Sequence, residues 1–345
     1  MKNSETVLVT GGTGFLGIQI LLQLLQKGYQ VNTTLRSLKN KDKIIETLRT
    51  NGITSLEHLH FFETELTKDD NWEQAMKGCT YVLSVASPVF FDIPKNEDEA
   101  IRPAVEGILR ILKFAKKEGV KRVVMTSSFG AIGFSNTDKN KETTEIDWTN
   151  PNLKGLSIYE KSKGIAERTA WDFINKEGNQ LEFATINPVA ILGPSLSPHI
   201  SGSFELLTNL LDGSMKKVPN IPLNIVDVRD VADLHIRAMM NPNANGQRFI
   251  ASADGQISLP EIAKLLKNKM PDAASKVSQE TLPNWLIHLA GLFNSQARTG
   301  SMFLKMSRNV SNAKAKNILE WTPIANNEQT ILASLDSIIT YNITK

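Results

Sequence analysis

Tyr159 and Lys163 stand four residues apart, so on a helix they share one face. A tyrosine hydroxyl has an ordinary pKa of about 10, which is too high for efficient proton exchange near neutral pH. A neighbouring lysine ammonium favours the phenolate and lowers that pKa, so the pair can exchange a proton with a substrate. The surrounding stretch SIYEKSK is equally typical of a solvated helix face, on which Glu160 and Lys161 are expected to meet water.

Ser128 ends a predicted strand, VKRVVMTSS, just after Thr126 and Ser127. Parallel sheets bind ligands at the carboxyl ends of their strands. At such a position the Ser128 hydroxyl can donate to a carbonyl oxygen and stabilise the charge that develops as hydride arrives. Serines also end strands without any catalytic role. Ser128 therefore carries weight only together with Tyr159 and Lys163, which the next predicted helix supplies.

A glycine-rich turn joins the first predicted strand, TVLVTG, to the first predicted helix, FLGIQILLQLLQKG. Gly11 permits a tight turn, Gly14 lets a pyrophosphate approach the backbone, and Gly17 lets helix and strand pack closely. The helix N-terminus adds amide donors and a partial positive charge. The alternative is a turn that is merely tight, but its place between strand and helix favours a dinucleotide site.

The end of the second predicted strand indicates which dinucleotide binds. An NAD site usually has an acid there that accepts from the ribose 2′-hydroxyl, whereas this strand ends TTLRS and the next acid is Asp42. Arg36 can form a planar fork with a 2′-phosphate, and Lys43 follows closely. These cations could also simply face solvent. The pattern predicts NADP(H) as cofactor.

Five strand-then-helix units follow one another in the first half of the chain, which predicts an α/β fold with a doubly wound parallel sheet, a Rossmann fold. The alternation ends near residue 188, although PLNIVDVRDVADLHIRAM and QRFIAS supply a further helix and strands. We therefore predict a dinucleotide-binding domain of residues 1–188 and about 222–252. Residues 189–221 and 253–345 would form a smaller, mixed and mostly helical substrate domain.

These motifs resemble those of the extended short-chain dehydrogenases/reductases, within which the branch of dihydroflavonol reductases and NADPH-dependent aldehyde/ketone reductases is most similar. The resemblance rests on LVTGGTGFLG, VASPV, PAVEGILRIL, YEKSKGIAERTAW, INPVAILGPSL and VDVRDVADLH, and covers about two thirds of the chain. It implies carbonyl reduction with hydride from NADPH and a proton from Tyr159. The implied catalytic residues are Ser128, Tyr159 and Lys163.

The resemblance also implies which residues bind the cofactor. They are Gly11, Thr13, Gly14, Phe15, Leu16, Gly17, Arg36, Lys43, Glu65, Leu66, Val85, Ala86, Ser87, Thr126, Tyr159, Lys163, Pro188, Val189 and Ser203. Glu65 departs from the family, which usually has Asp at this adenine-site position.

Two other functions remain open at this point. A sugar-nucleotide epimerase would recycle a tightly bound NAD(P), and Arg36 argues against NAD. A non-catalytic dinucleotide-binding regulator would typically have lost the tyrosine or the lysine, and this chain has both.

Aromatic and aliphatic residues flank the predicted strand ends and favour a hydrophobic carbonyl compound as substrate. The candidates for the pocket are Phe90, Phe91, Phe129, Phe134, Leu192, Leu196 and Phe204. Core packing is the alternative role for each of them.

Composition excludes several classes of partner. A net charge of +3 over 345 residues predicts neither nucleic acid nor a membrane surface. No apolar run reaches the roughly 18 residues of a membrane span, the N-terminus does not resemble a signal peptide, and the single Cys79 forms no internal disulfide. The five histidines form no metal-binding pattern. We predict a cytoplasmic monomer or homodimer without a metal.

Overall fold

The computed structural model describes residues 5–88 and 96–343, with the side chains of residues 295 and 296 left out. Its strands are β1 (Thr6–Thr10), β2 (Gln30–Leu35), β3 (Leu59–Glu63), β4 (Tyr81–Ser84), β5 (Arg122–Thr126), β6 (Glu182–Pro188), β7 (Ala190–Leu192), β8 (Val218–Pro219), β9 (Pro222–Leu223), β10 (Ile225–Asp227), β11 (Gln247–Ala251), β12 (Ile257–Ser258) and β13 (Thr281–Leu282).

The helices alternate with these strands and then dominate the last third of the chain. They are α1 (Phe15–Gln26), α2 (Lys41–Thr50), α3 (Trp72–Met76), α4 (Glu97–Lys117), α5 (Ile158–Glu177), α6 (Glu205–Leu211), α7 (Val228–Met240), α8 (Leu259–Lys269), α9 (Asn284–Ala290), α10 (Ser295–Lys305), α11 (Ala313–Leu319) and α12 (Asn327–Thr340). None of those in the described part of the chain combines the length and hydrophobicity of a bilayer-spanning segment.

Within the described residues, seven strands form one sheet in the order β11-β6-β5-β4-β1-β2-β3. Every neighbouring pair in it is parallel. The strand order reverses between β1 and β4, and a crevice for ligands opens at such a switch point, beyond the carboxyl ends of the strands. The predicted doubly wound parallel fold is confirmed.

The first strand and helix show why the sequence folds in this way. After Thr6, the side chains of β1 are fully buried because helices cover both faces of a parallel sheet. The helix α1 is apolar on most of its surface and is buried over most of its length, between the sheet and α7. This burial holds the glycine turn between them in a fixed position.

The last part of the chain adds three short strand pairs and several helices. Strand β10 pairs with β7, β12 with β9, and β13 with β8. Strand β11 returns to the large sheet beside β6. This arrangement agrees with a sheet built from residues 1–188 and 247–251, while the division into two domains stays a prediction.

Candidate active site

The turn between β1 and α1 requires glycine for steric reasons. Gly11 has a positive φ of 74°, a conformation that residues with a side chain rarely adopt. A Cβ atom on Gly17 would lie 2.2 Å from the carbonyl oxygen of Gly11. The amide of Gly14 donates to that same oxygen at 2.9 Å. Gly14 is also the N-cap residue of α1 and offers no capping side chain, so amides of the first helical turn stay available to an anion.

Thr10 fixes a second loop against this turn, and the sequence analysis missed it. Its hydroxyl oxygen accepts hydrogen bonds from the amides of Val85 and Ala86, each at 2.9 Å. The Ala86 Cβ lies 3.1 Å from the position that a Gly11 Cβ would take. The available signal in the sequence was a polar residue at the end of an apolar strand, in the VTGG stretch. The structure shows that this residue is fully buried. Thr10 thus joins two segments that were predicted to bind the cofactor.

The first turn of α1 exposes some predicted cofactor residues and buries others. Thr13 is exposed, whereas Phe15 and Leu16 are buried. The Phe15 ring packs edge to face on Phe204, with 5.3 Å between centroids. The side chains of Phe15 and Leu16 therefore anchor the turn, and their backbone is the part that can meet a phosphate.

The charged residues at the ends of β2 and β3 are accessible. Arg36 and Lys43 are both exposed. Glu65 is exposed too, and a hydrogen bond from Lys68 at 2.8 Å is the main reason that its pKa lies below the usual value. The charge of Arg36 contributes to the same lowering, so Arg36 and Glu65 are near neighbours. A cation and an acceptor thus lie at the same edge of the sheet, and their contacts with a cofactor remain predictions.

A small cavity of about 20 Å³ brings together predicted cofactor residues from four parts of the chain. Leu66, Ala86, Ser87, Thr126 and Lys163 all line it. Val85, next to Ala86, is half-buried. The sequence-distant residues predicted for one ligand therefore border one space at the carboxyl edge of the sheet.

Thr126 is held by the protein itself. Its hydroxyl lies 2.7 Å from Nε2 of His235, whose Nδ1 lies 2.7 Å from the carbonyl oxygen of Val231. A carbonyl only accepts, so Nδ1 carries the imidazole proton and Nε2 accepts from Thr126. Burial lowers the pKa of His235 to about 4, which keeps the ring neutral. The side chain of Thr126 thus braces β5, and its backbone carbonyl remains for Lys163.

Lys163 is buried behind Tyr159. Its Nζ donates to the carbonyl oxygen of Thr126 at 3.2 Å and lies 6.0 Å from the centroid of the Tyr159 ring. Burial lowers the pKa of Lys163 to about 8, while the negative charge of Glu167 acts in the opposite direction. Lys163 is therefore a cation whose charge is lost within the pH range of ordinary assays.

Tyr159 is the second residue of α5 and keeps 47% of its surface accessible. Burial of the hydroxyl group, and then the negative charge of Glu160, raise the pKa of Tyr159 to about 12. The expectation that Lys163 lowers this pKa is not met, because its ammonium is directed to Thr126. Tyr159 is consequently a protonated phenol at neutral pH, with an open face through which a substrate can reach it.

The start of α5 positions Tyr159. Ser157 and Glu160 form a capping box, in which the Ser157 amide donates to the Glu160 carboxylate at 3.0 Å. Lys161 pairs with Glu97 of α4. The expectation that Glu160 and Lys161 face water was wrong: both are half-buried, because one caps the helix and the other ties it to α4.

Ser128 begins a short 3-10 helix (Phe129–Ala131) directly after β5. Its hydroxyl oxygen accepts the amide hydrogen of Gly130 at 3.0 Å, so its own hydrogen is available to another acceptor. Its carbonyl oxygen accepts from Nδ2 of Asn187 at 3.2 Å. These hydrogen bonds fix both the hydroxyl and the carbonyl group of Ser128, which is half-buried at the carboxyl edge of the sheet.

A fully buried carboxylate supports these residues from behind, and sequence reasoning missed it. Glu167 lies one helical turn after Lys163 on α5 and has no exposed surface. Its carboxylate accepts from Nδ2 of Asn187 at 2.7 Å, from Nε of Arg248 at 2.6 Å, and from the Ser127 hydroxyl. Glu167 thus connects the helix of Lys163 to the strand end that carries Ser128.

Arg248 balances this buried charge. Its guanidinium donates to the backbone carbonyls of Glu145 and Asp147 at 2.7 and 2.9 Å. It also stacks on Trp148, with 3.6 Å to the ring centroid. The ion pair therefore ties β11 and the loop before α5 to the catalytic region. In the sequence, the spacing in KSKGIAE already places Glu167 and Lys163 on one helix face. Arg248, the partner of Glu167, could not be identified in this way because it lies far away in the sequence.

Replacing Glu167 with glutamine tests this support. We expect a loss of about 3 kcal/mol in stability, because Arg248 becomes a buried unpaired charge. Since the charge of Glu167 favours the Lys163 ammonium, the variant should also lose activity at a lower pH than the wild type. The pH profile of kcat and a thermal melt measure the two effects. Glu177→Gln, at the exposed end of the same helix, is the control; an unshifted profile would leave Glu167 with a purely structural role.

The residues predicted along β6 and β7 differ in exposure. Pro188 is buried in β6, and the amide of Val189 donates to the carbonyl of Ala251 at 3.1 Å. Val189 and Ser203 are half-buried. Both keep part of their surface accessible, and their cofactor contacts remain predictions.

Among the described residues of the predicted substrate pocket, only Leu196 retains partial exposure. Leu192 and Phe204 have no accessible surface and belong to the core, so they do not line a pocket here. Phe129 and Phe134 are buried with 6.2 Å between ring centroids. Phe90 and Phe91 lie outside the described residues.

A doubly wound sheet with a glycine turn, and a tyrosine–lysine pair beside a strand-end serine, define a dinucleotide-dependent enzyme of the short-chain dehydrogenase/reductase type. The chain belongs to the NAD dependent epimerase/dehydratase family, whose family model matches residues 7–251. The relationship predicted from the motifs is confirmed.

Curated relatives and a solved structure show which members of this family the chain is similar to. The chain is 32% identical over 282 residues to an anthocyanidin reductase from Vitis vinifera, covering 77% of this chain and 81% of the relative. It is 33% identical to the putative NADPH-dependent methylglyoxal reductase GRP2 of Candida albicans, covering 80% and 86%. The structure of Gre2 from Candida albicans in complex with NADPH matches with a TM-score of 0.79 and 27% identity, covering 98% of this chain and 99% of that chain.

Proposed function

We propose that the protein is an NADPH-dependent reductase that converts the carbonyl of an aldehyde or ketone to an alcohol, reversibly. The observation that carries the proposal is the arrangement at one crevice of Ser128, Tyr159 and Lys163 beside the glycine turn. Relatives whose names state reduction, and one whose name states NADPH, support the same reaction class and cofactor.

The residues present fit NADPH. In the Gly11–Gly17 turn a Cβ atom on Gly17 would collide with the backbone, and Gly14 carries no side chain that could block a pyrophosphate at the N-terminus of α1, which offers amides to it. Arg36 and Lys43 are exposed cations that would hold the 2′-phosphate. Bound there, NADPH supplies the hydride.

The chain's own residues then manage the charge on the substrate. Ser128 donates to the carbonyl oxygen and stabilises the negative charge that develops on it. Tyr159, protonated at neutral pH, gives its proton to that oxygen. The Lys163 ammonium, which borders the same cavity as predicted cofactor residues and is charged below a pH of about 8, would donate to ribose hydroxyls of the cofactor.

Particular residues of the site argue against the two alternative functions. An epimerase that recycles NAD would need an acid near the end of β2, where this chain places the exposed Arg36. A regulator without activity would not need Lys163 to be buried and bonded behind an accessible Tyr159.

An assay of the purified protein tests the function. With NADPH and a panel of aldehydes, ketones and diketones, we expect loss of the reduced-nicotinamide absorbance at a turnover on the order of 1–100 s⁻¹ for at least one compound. Absence of turnover with every member of the panel would contradict the proposal. We further propose a cytoplasmic location, a largely apolar substrate, and a monomeric or homodimeric state.

A further inference from the structure

A cavity of about 690 Å³ lies outside the site described above, lined mainly by segments that follow β6 and also by Lys139 from the loop before α5. Its volume is in the range of small-molecule sites. Residues from β9, the β11–β12 connection, α9 and the end of α10 line it. The lining is unusual for a core cavity, because side-chain amides and cations border it as well as Leu304 and Met306.

Arg308 is the residue that makes this cavity a candidate site. Among the described residues, its guanidinium has no ion-pair or hydrogen-bond partner, and its Nε is buried. Its closest recorded interaction is with the face of Phe303, at 5.7 Å to the centroid. Burial lowers the pKa of Arg308 to about 10, so the group still carries its charge at neutral pH. Arg308 is half-buried, and its buried Nε lacks a hydrogen-bond partner, so an anionic ligand would satisfy both this nitrogen and the charge.

Asn224 builds the same wall. It is only 5% exposed, and its Nδ2 donates to the carbonyl oxygens of Gly255 at 3.3 Å and Arg308 at 3.2 Å. Its Oδ1 has no partner among the described residues. Asn224 thus fixes the backbone of Arg308. The described residues that line the cavity include a second cation, Lys139, and no carboxylate, so its charge is positive.

The cavity lies close to the catalytic crevice. Asn224 precedes Ile225, which is in register with Ala190, two residues after Pro188. Three steps between consecutive Cα atoms and one strand-to-strand spacing give an upper limit of roughly 16 Å between the Cα atoms of Asn224 and Pro188. Pro188 lies at the strand edge predicted to line the cofactor. Met306, on the cavity wall, also belongs to the apolar cluster that contains Phe129 next to Ser128.

We propose that Arg308 binds the carboxylate of an acidic carbonyl substrate, such as an aldehyde acid or keto acid, whose carbonyl is reduced at Tyr159. This inference rests on the proposed reductase function and adds the substrate class. The planar guanidinium suits a carboxylate because it can form two parallel hydrogen bonds with it. The apolar wall predicted for the substrate then contacts the part of the molecule between carbonyl and carboxylate.

A pair of matched aldehydes tests the substrate class. The protein is assayed with NADPH and either 4-carboxybenzaldehyde or its methyl ester, which differ in charge but not in the reacting group. We expect kcat/KM for the acid to exceed that for the ester by about tenfold or more. Equal values, or a preference for the ester, would overturn the inference, while turnover of the ester alone would still support the reductase function.

Variants at position 308 assign the preference to one residue. Arg308→Gln should reduce the acid-to-ester ratio to about one, whereas Arg308→Lys should retain part of it, since the charge persists. Arg49→Gln, an exposed cation at the end of α2, is the matched control and should keep the wild-type ratio. A folded Arg308→Gln variant, checked by thermal melting, that keeps the wild-type ratio would contradict the proposal.

A binding measurement separates failure of this inference from failure of the reductase function. Calorimetric titration with 4-(hydroxymethyl)benzoate, the alcohol acid that reduction would give, requires no turnover. Binding that depends on Arg308 in a protein that reduces neither aldehyde would refute the proposed reaction and support the anion site. Absence of binding to the wild type, or binding unchanged in Arg308→Gln, would refute the site.

Discussion

Replacing Tyr159 with phenylalanine is expected to lower kcat for carbonyl reduction by about 10³-fold, with little change in NADPH affinity. The reason is that phenylalanine keeps the accessible ring but removes the hydroxyl group that gives its proton to the substrate oxygen. Ser128 and Lys163 stay in place, because their recorded hydrogen bonds go to Gly130 and Thr126 and not to the tyrosine hydroxyl. Steady-state kinetics and a fluorescence titration with NADPH measure the two quantities.

Tyr341→Phe is the matched control, because Tyr341 caps α12 at the far end of the chain. It should retain wild-type kinetics. An interaction made mainly in the transition state lowers kcat and kcat/KM together, so that pattern is expected for Tyr159→Phe. If the Tyr159→Phe variant retained a large fraction of kcat, the proton would have to come from another group, and the assigned role would be wrong.

Replacing Arg36 with aspartate is expected to reverse the preference between NADPH and NADH. Loss of a charge-assisted contact to the 2′-phosphate costs about 1.5–3 kcal/mol, and the new carboxylate adds repulsion. We therefore expect kcat/KM for NADPH to fall by about 100-fold or more. NADH should be affected much less, because aspartate can accept from the ribose hydroxyl. Kinetics with both cofactors and a fixed aldehyde measure the change.

Arg49→Asp serves as the control for this charge reversal, since Arg49 is exposed on the same helix as Lys43 but at its other end. It should leave the ratio of NADPH to NADH activity near the wild-type value. Equal losses with both cofactors in Arg36→Asp would show that Arg36 does not contact the 2′-phosphate.

The parts of the site that could be predicted from the sequence are those whose residues are close together in the chain. The glycine turn has a fixed spacing between a strand and a helix, and Tyr159 and Lys163 share a helix face because of a four-residue period. Parallel topology then brings strand ends to one edge, which is why Ser128 could be assigned to the same crevice. The sheet and the family were predicted correctly for these reasons.

The parts that could not be predicted depend on contacts between distant segments. Glu167 meets Arg248 across two elements of the fold, and no local pattern reveals that pairing. Likewise, Arg308 stands out only because its buried Nε has no partner among the described residues and lies beside a cavity. The burial of Leu192 and Phe204 was also unpredictable, since an apolar residue after a strand suits a pocket wall and the core equally well.

The pKa of Tyr159 gives a more particular lesson. Spacing placed Lys163 on the correct face, but it could not show that the ammonium is directed to the Thr126 carbonyl. Burial and the negative charge of Glu160 set the pKa of Tyr159, so the phenol remains protonated at neutral pH. In the direction of reduction this state is productive, because the residue must give a proton and not take one.

Transfer of deuterium is the measurement that tests the central claim most directly. The protein is incubated with an aldehyde and NADPH labelled with deuterium at one or the other C4 position, and the alcohol is examined by mass spectrometry. The account predicts one deuterium on the carbinol carbon with one of the two labelled cofactors and none with the other. Formation of no alcohol, or of alcohol without the label from either cofactor, would contradict direct hydride transfer from NADPH to a carbonyl at this site.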